Sequence, residues 1–165
     1  MAKLLGVALA KEQEITLISG QSSGIGAEVI SGFTEQCIND RQDLNSRLQI
    51  FPNPYAADPS LSNNLTLLSD LKKSRVILIN AAQIVIVFNG GMGTETETEV
   101  AKNTNCKIIP VVQNENDFQN KALKTILNDP IIMEELKKNV PRYFKKLSEG
   151  CVSVEDIMLC VKDLL

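Results

Sequence analysis

The chain has 165 residues, 44% of them hydrophobic and 22% charged, with a net charge of −3, which fits one globular domain. It contains no histidine, so imidazole bases, Ser-His-Asp or Cys-His catalysis and imidazole metal ligands are excluded. The negative charge argues against nucleic-acid binding by phosphate neutralisation. Aromatics are scarce at 4% and Trp is absent, so the core has to be built from Ile, Leu, Val and Ala.

The first element expected is a helix over residues 1–12, with Leu4, Leu5, Ala8 and Leu9 on one stripe. Ile15-Thr-Leu-Ile18 is a short apolar run ended by Ser19-Gly20, the pattern of a buried strand. Gly24-Ile-Gly26 leads into a helix over 27–36. Leu48-Gln-Ile-Phe51 is a second strand, stopped by Pro52-Asn-Pro54, and a polar loop runs to Ser62. A long helical pattern covers 65–82. Ile84-Val-Ile-Val-Phe88 is a continuous β-branched strand closed by Asn89-Gly90-Gly91. A helix over 94–103 and a strand over Lys107-Ile-Ile-Pro-Val-Val112 follow. The tail is expected to hold helices over 130–147 and 154–164, with a short one at 123–127.

Strands alternating with helices, each strand a solid apolar run, predict an α/β, Rossmann-like three-layer fold with a mainly parallel sheet. Residues 1–165 form one nucleotide-binding domain on this expectation. Such folds usually open with a strand and this chain opens with a helix. The expectation is therefore that the first strand is missing, or that the domain was excised from a longer chain. No apolar run reaches the roughly 18–20 residues of a membrane span; the longest, Val76 to Phe88, is interrupted by Asn80 and Gln83. Residues 1–6 run straight into Lys11-Glu-Gln-Glu14 without the pattern of a signal peptide. Cys37, Cys106, Cys151 and Cys160 include no C-x-x-C pair, so four reduced, mostly buried thiols in a cytoplasmic protein are expected.

In open parallel sheets ligands bind at the carboxyl ends of the strands, and both glycine-rich stretches follow strands. Ser19-Gly-Gln-Ser-Ser-Gly-Ile-Gly26 lets backbone approach a phosphate at a helix N-terminus; a tight turn without a ligand is the alternative. The string is similar to the glycine signature of short-chain dehydrogenases. That family's Tyr-x-x-x-Lys pair is absent, because Tyr55 and Tyr143 are followed four residues on by Pro59 and Leu147. The strand ending Ile50-Phe51-Pro52 also lacks the acidic residue that would bind a ribose.

Asn89-Gly-Gly-Met-Gly-Thr-Glu-Thr-Glu97 is the more specific signal. Gly90, Gly91 and Gly93 bring amides to a phosphate, with Met92 between them, and Thr94 can cap the helix or meet a ligand. Thr94-x-x-Glu97 is also a capping box, so Glu97 serves either the cap or a ligand. Glu97, Val100, Ala101 and Thr104 share a helical stripe predicted to face inward, with Glu95 and Glu99 solvated. Arg75 interrupts the apolar stripe Leu68, Leu71, Leu78, Ala82. It either snorkels to solvent or is held at the site beside Glu97 or a ligand phosphate.

Gly90 to Glu97 resembles the P-G-G-x-G-T-x-x-E motif of the LOG family of phosphoribohydrolases, and Ser19 to Gly26 the earlier glycine loop of the wider SLOG superfamily. The run from Arg75 to Ile86 fits as well, so the resemblance covers residues 1–112. Within the superfamily the chain is most similar to SLOG domains attached to Sir2 or TIR enzymes, such as the sensor domain of the Thoeris antiphage NADase. That resemblance implies a non-catalytic pocket for a cyclic ADP-ribose isomer, with no further cofactor and no metal, regulating an attached Sir2-like NADase domain. Ser19, Gly20, Gly24, Gly26, Gly90, Gly91 and Gly93 would then lie along the pyrophosphate, Arg75 on a phosphate and Glu97 on a ribose hydroxyl. Asn89, Met92 and Thr94 would line the same pocket. Pro52 and Asn53 line it too, or form a plain turn.

The alternative enzyme is a LOG-type nucleoside 5′-monophosphate phosphoribohydrolase. Asn89 in place of the motif's proline, and Val76 in place of the lysine of its Arg-Lys pair, speak against it. A scaffold acting only in oligomerisation is the third possibility. A sensor needs a partner domain or a second copy, so a homodimer is expected, packed through helix 65–82 or 131–147, with no nucleic acid and no membrane among the partners.

Overall fold

The computed structural model describes residues 1–20, 24–51 and 65–165, with the side chains of 65–68 outside the description. The chain divides into two compact units, Met1–Ala81 and Ala82–Leu165. Among the described residues each contains one two-stranded parallel sheet, so the predicted α/β alternation with parallel pairing is present. Among the described residues no helix is long and apolar enough to cross a membrane.

In the first unit, helix α1 (Ala2–Lys11) packs on α2 (Ile25–Asn39). Two glycines set that contact. A Cβ on Gly6 would lie 2.1 Å from the Val29 carbonyl oxygen, and one on Gly32 would lie 2.0 Å from the Lys3 carbonyl oxygen. Any larger residue would force the helices apart. The buried stripe of α1 is Leu5, Leu9 and Ala10, with Leu4 exposed, so it is rotated from the predicted face. Strand β1 (Leu17–Gly20) pairs in parallel with β2 (Leu48–Phe51), from Leu17 opposite Leu48 to Gly20 opposite Phe51. These strands are less enclosed than their apolar runs predicted: β1 is half-buried throughout, and Gln49 and Ile50 are exposed. A one-turn helix, α3 (Leu44–Arg47), precedes β2 and escaped the sequence reading; Asp43 caps it through the Asn45 amide. Helix α4 (Leu65–Asn80) completes the unit.

Arg47 is the unit's one buried charge among the described residues, 8% exposed. Its guanidinium donates to the carbonyls of Ala10 (2.9 Å), Glu12 (2.6 Å) and Ile15 (2.9 and 3.1 Å). It also donates to the Gln42 side chain and lies 5.2 Å from the centroid of the Phe33 ring. The last carbonyls of a helix have no partner within it, and a cation there also meets the favourable end of the helix dipole. Arg47 therefore closes α1 and holds the chain between α1 and β1 against the start of β2. Buried Cys37 sits nearby, its thiol pKa pushed up by burial despite Arg47.

In the second unit, β3 (Ile84–Val87) pairs in parallel with β4 (Lys107–Pro110), from Ile84 opposite Lys107 to Val87 opposite Pro110. The Val111 amide extends the ladder to the Val87 carbonyl at 2.8 Å. Helix α5 (Met92–Lys102) connects the strands. Beyond β4 come a 3₁₀ turn (Glu115–Gln119) and helices α6 (Lys121–Leu127), α7 (Pro130–Asn139), α8 (Pro141–Ser148) and α9 (Val154–Leu164). The single helix predicted over 130–147 is two, broken at Val140. Pro141 has no amide to donate and starts α8 at its first position, the place where proline suits a helix.

Buried Tyr143 of α8 donates its hydroxyl to the Pro110 carbonyl at 2.6 Å, tying that helix to the end of β4. Burial raises the pKa of this phenol. It also pushes the Cys160 thiol up to about 12, which leaves it inert. Of the four cysteines, Cys37 and Cys160 are buried, Cys106 is half-buried and Cys151 is exposed.

Replacing Arg47 with Lys keeps the charge but loses the planar fork, and should lower unfolding free energy by about 2 kcal/mol. Arg47→Ala strands several carbonyls and should cost about 3 kcal/mol or more. Urea denaturation with the slope held constant checks both; a loss under about 0.5 kcal/mol in Arg47→Ala would contradict the assigned role.

Candidate functional site

The β-branched run of β3 gives an extended segment that ends at Val87, followed by buried Phe88 and then Asn89-Gly90-Gly91. Helix α5 starts at Met92 with Gly91 as N-cap, and no side chain of the described residues caps it. The Glu95 amide is the first to bond back, to the Gly91 carbonyl at 3.1 Å. This leaves the Met92, Gly93 and Thr94 amides outside the helical ladder, at the positive end of the helix dipole.

The glycines differ in why they are needed. A Cβ on Gly90 would lie 2.1 Å from Thr94 Oγ1, so the Thr94 side chain occupies that space. Among the described residues, nothing lies within 4 Å of a Cβ placed on Gly91. Packing among the described residues does not demand glycine there, and they leave the space before the helix open to an approaching group. Met92 beside it is 80% exposed.

The structure corrects four expectations for this helix. It begins at Met92, two residues before the predicted start, so Thr94 lies inside the first turn. The Thr94–Glu97 capping box is therefore not formed. The inward stripe runs through Thr98 and Ala101, both 1% exposed, while Glu97 and Val100 are half-buried. Glu99 is exposed as expected, but Glu95 is held by Lys121 at 2.7 Å. The hydrogen bond and charge of Glu95 raise the pKa of that lysine.

A cluster that the sequence reading missed braces the Asn89–Gly91 turn. Asn89 Nδ2 donates to Asp117 Oδ1 at 2.6 Å. The other oxygen of Asp117 accepts from the Gln113 amide at 2.8 Å and from Asn114 Nδ2 at 3.4 Å. Asn120 Nδ2 donates to the Gly90 carbonyl at 2.8 Å, while its Oδ1 accepts from the Leu123 amide at 3.3 Å, capping α6. Asp117 is 2% exposed. The signal available in the sequence was the polar period Asn114, Asp117, Asn120 directly after β4. Parallel pairing places the exits of β3 and β4 on one edge, so polar side chains after one strand meet the turn after the other.

The first unit carries the other predicted residues. Ser19 and Gly20 end β1, half-buried, and Ser19 Oγ donates to the Gly20 carbonyl at 3.3 Å. Gly24 is the N-cap of α2, again without a side-chain cap among the described residues. Its φ of +81° is a conformation that favours glycine. Gly26 lies in the first turn of α2, half-buried. Arg75 is half-buried on α4, on the face that carries buried Leu71 and Leu78, as its spacing predicted. Pro52 and Asn53 lie outside the described residues, as do Gln21, Ser22 and Ser23 of the first loop. The structure thus brings Asn89 through Glu97 together around the start of α5, and places Ser19, Gly20, Gly24, Gly26 and Arg75 in the first unit.

One buried polar atom is left over. Thr98 Oγ1 has no hydrogen-bond partner among the described residues. Thr98→Val keeps the shape and removes the unpaired hydroxyl, so it should raise unfolding free energy by about 1 kcal/mol. A loss of stability in chemical denaturation would show that the hydroxyl is satisfied in solution.

The model of the Sir2- and TIR-associating SLOG family matches residues 1–165, the whole chain. A search of the curated proteins finds no match.

Proposed function

The chain belongs to the Sir2- and TIR-associating SLOG family, and from that premise we propose that it is a ligand-sensing domain. Its ligand on this proposal is a cyclic ADP-ribose isomer, and its output is activation of an attached Sir2-type NADase in antiphage defence. The observation that carries the proposal is the start of α5. Among the described residues its N-terminus has no side-chain cap, and the space at Gly91 is open. A pyrophosphate suits such a place, because unpaired amides and the dipole both favour negative charge.

The first-unit loop supports the same chemistry, with α2 also starting at an uncapped glycine. Ser19, Gly20, Gly24 and Gly26 are assigned to the phosphates with Gly90, Gly91 and Gly93. Arg75 is assigned to a phosphate and Glu97 to a ribose hydroxyl, with Asn53, Asn89, Met92 and Thr94 as further contacts. The single nucleotide-binding domain and the Rossmann-like, three-layer architecture belong to this proposal, as do the cytoplasmic location and self-association into a homodimer. A sensor works only through different affinity for two states, which an effector domain or second copy supplies.

The test is calorimetric titration of the chain and two variants with cyclic ADP-ribose isomers, with AMP as comparator and chromatography for released base. Arg75→Ala and Glu97→Gln should each weaken binding by about tenfold or more, roughly 1.4 kcal/mol for a lost charge-assisted contact. Wild-type affinity in both folded variants would remove them from the site. Release of adenine from AMP would make the chain a phosphoribohydrolase instead.

A further inference from the structure

We infer that Asp117 and Asn120 are positioning residues that fix the Asn89–Gly91 turn in the conformation that presents amides to an anion. The inference rests on the site proposed above and goes beyond it, to residues that touch no ligand.

A buried carboxylate is costly unless its oxygens are satisfied. Among the described residues no Lys or Arg pairs with Asp117; its partners are the Asn89 and Asn114 side-chain amides and the Gln113 backbone amide. The carboxylate therefore bridges the turn after β3 and the segment after β4. Asn120 adds a second bridge. One end of its amide caps α6, which fixes the side chain, and the other end holds the Gly90 carbonyl. The described chain contains no cis peptide. In a trans peptide the N–H is antiparallel to the C=O, so holding the Gly90 carbonyl also fixes the direction of the Gly91 N–H. Two glycines in sequence would otherwise leave this turn with the greatest backbone freedom any pair can have. The two bridges remove that freedom before a ligand arrives, so less ordering is required when it binds.

The geometry provides a test by exchange of roles. Asn89→Asp sets a carboxylate against Asp117 and breaks the bridge. Adding Asp117→Asn restores it with donor and acceptor reversed, since the new amide oxygen can keep the Gln113 bond. Asn89 is exposed, so the single change leaves the core intact. Hydrogen exchange of residues 90–95 in the full chain without ligand reads the turn directly, and titration with cyclic ADP-ribose reads its consequence.

Asn89→Asp should speed exchange of these amides and weaken binding, each by about tenfold at pH 7.5. The double variant should return exchange to within about threefold of wild type; because Asn89 is itself an assigned ligand contact, the consequence for binding is read on Asn120→Ala. Asn120→Ala, which removes only the second bridge, should also speed exchange.

Unchanged exchange in both Asn89→Asp and Asn120→Ala would overturn the inference, as would a folded double variant that stays as loose as the single one. If the wild type binds no nucleotide, the sensor proposal fails, while the exchange comparison still decides whether the bridges fix the turn.

Discussion

A buried carboxylate held by amides organises the second unit around its glycine turn. Asp117 is placed by the 3₁₀ turn that follows β4, and it receives Asn89 from the turn that follows β3. Parallel pairing of the two strands is what brings these segments to one edge. Asn120, three residues on, starts α6 and holds the Gly90 carbonyl. The open helix N-terminus at Gly91 is thus braced from behind by groups that leave its amides unused. A glycine at the cap position costs only a few tenths of a kcal/mol relative to a Ser, Thr, Asp or Asn cap. In this unit α6, α7 and α9 are capped by Asn120, Asp129 and Ser153, while α5 and α8 start without a side-chain cap among the described residues; α5 differs from α8 in starting at a glycine rather than at Val140 and Pro141.

The first unit uses a buried cation in a comparable way. Arg47 collects carbonyls from the end of α1 and the connection to β1, where Asp117 collects amide donors. Each ion is satisfied by groups of its own unit, and each would be costly to leave unpaired. Arg47 fixes the connection that enters β1 beside the start of β2, and Asp117 joins the segments that leave β3 and β4. Four-residue strands form few ladder bonds, so side-chain clamps at their ends carry a large share of the local order.

Much of this was legible in the sequence. Strand β2 and helix α9 match their predicted limits, and β3 was evident from Ile84-Val-Ile-Val87. The glycine motif marked the family, whose model spans the chain. The errors have physical causes. Helix α5 starts at Met92 because Gly91 takes the cap position and Thr94 packs over Gly90, a contact that spacing cannot reveal. Its buried face runs through Thr98 because packing in the unit outweighed a stripe drawn from residue type. The break at Val140 was visible as Pro141 and was passed over in favour of a continuous apolar pattern. Arg47, Asp117 and Asn120 were missed because their partners are mainly backbone groups or side chains distant in sequence. A charged residue in a polar stretch carries no mark of burial until the strands are paired.

The central claim is that glycine-capped helix starts bind the negatively charged part of a nucleotide. Hydrogen exchange of the full chain with and without cyclic ADP-ribose tests it most directly. Protection of the amides at 91–95 and 24–28, with the tail beyond residue 130 unchanged, is the predicted result. Saturating ligand that leaves both helix starts exchanging as in the free chain would contradict the account.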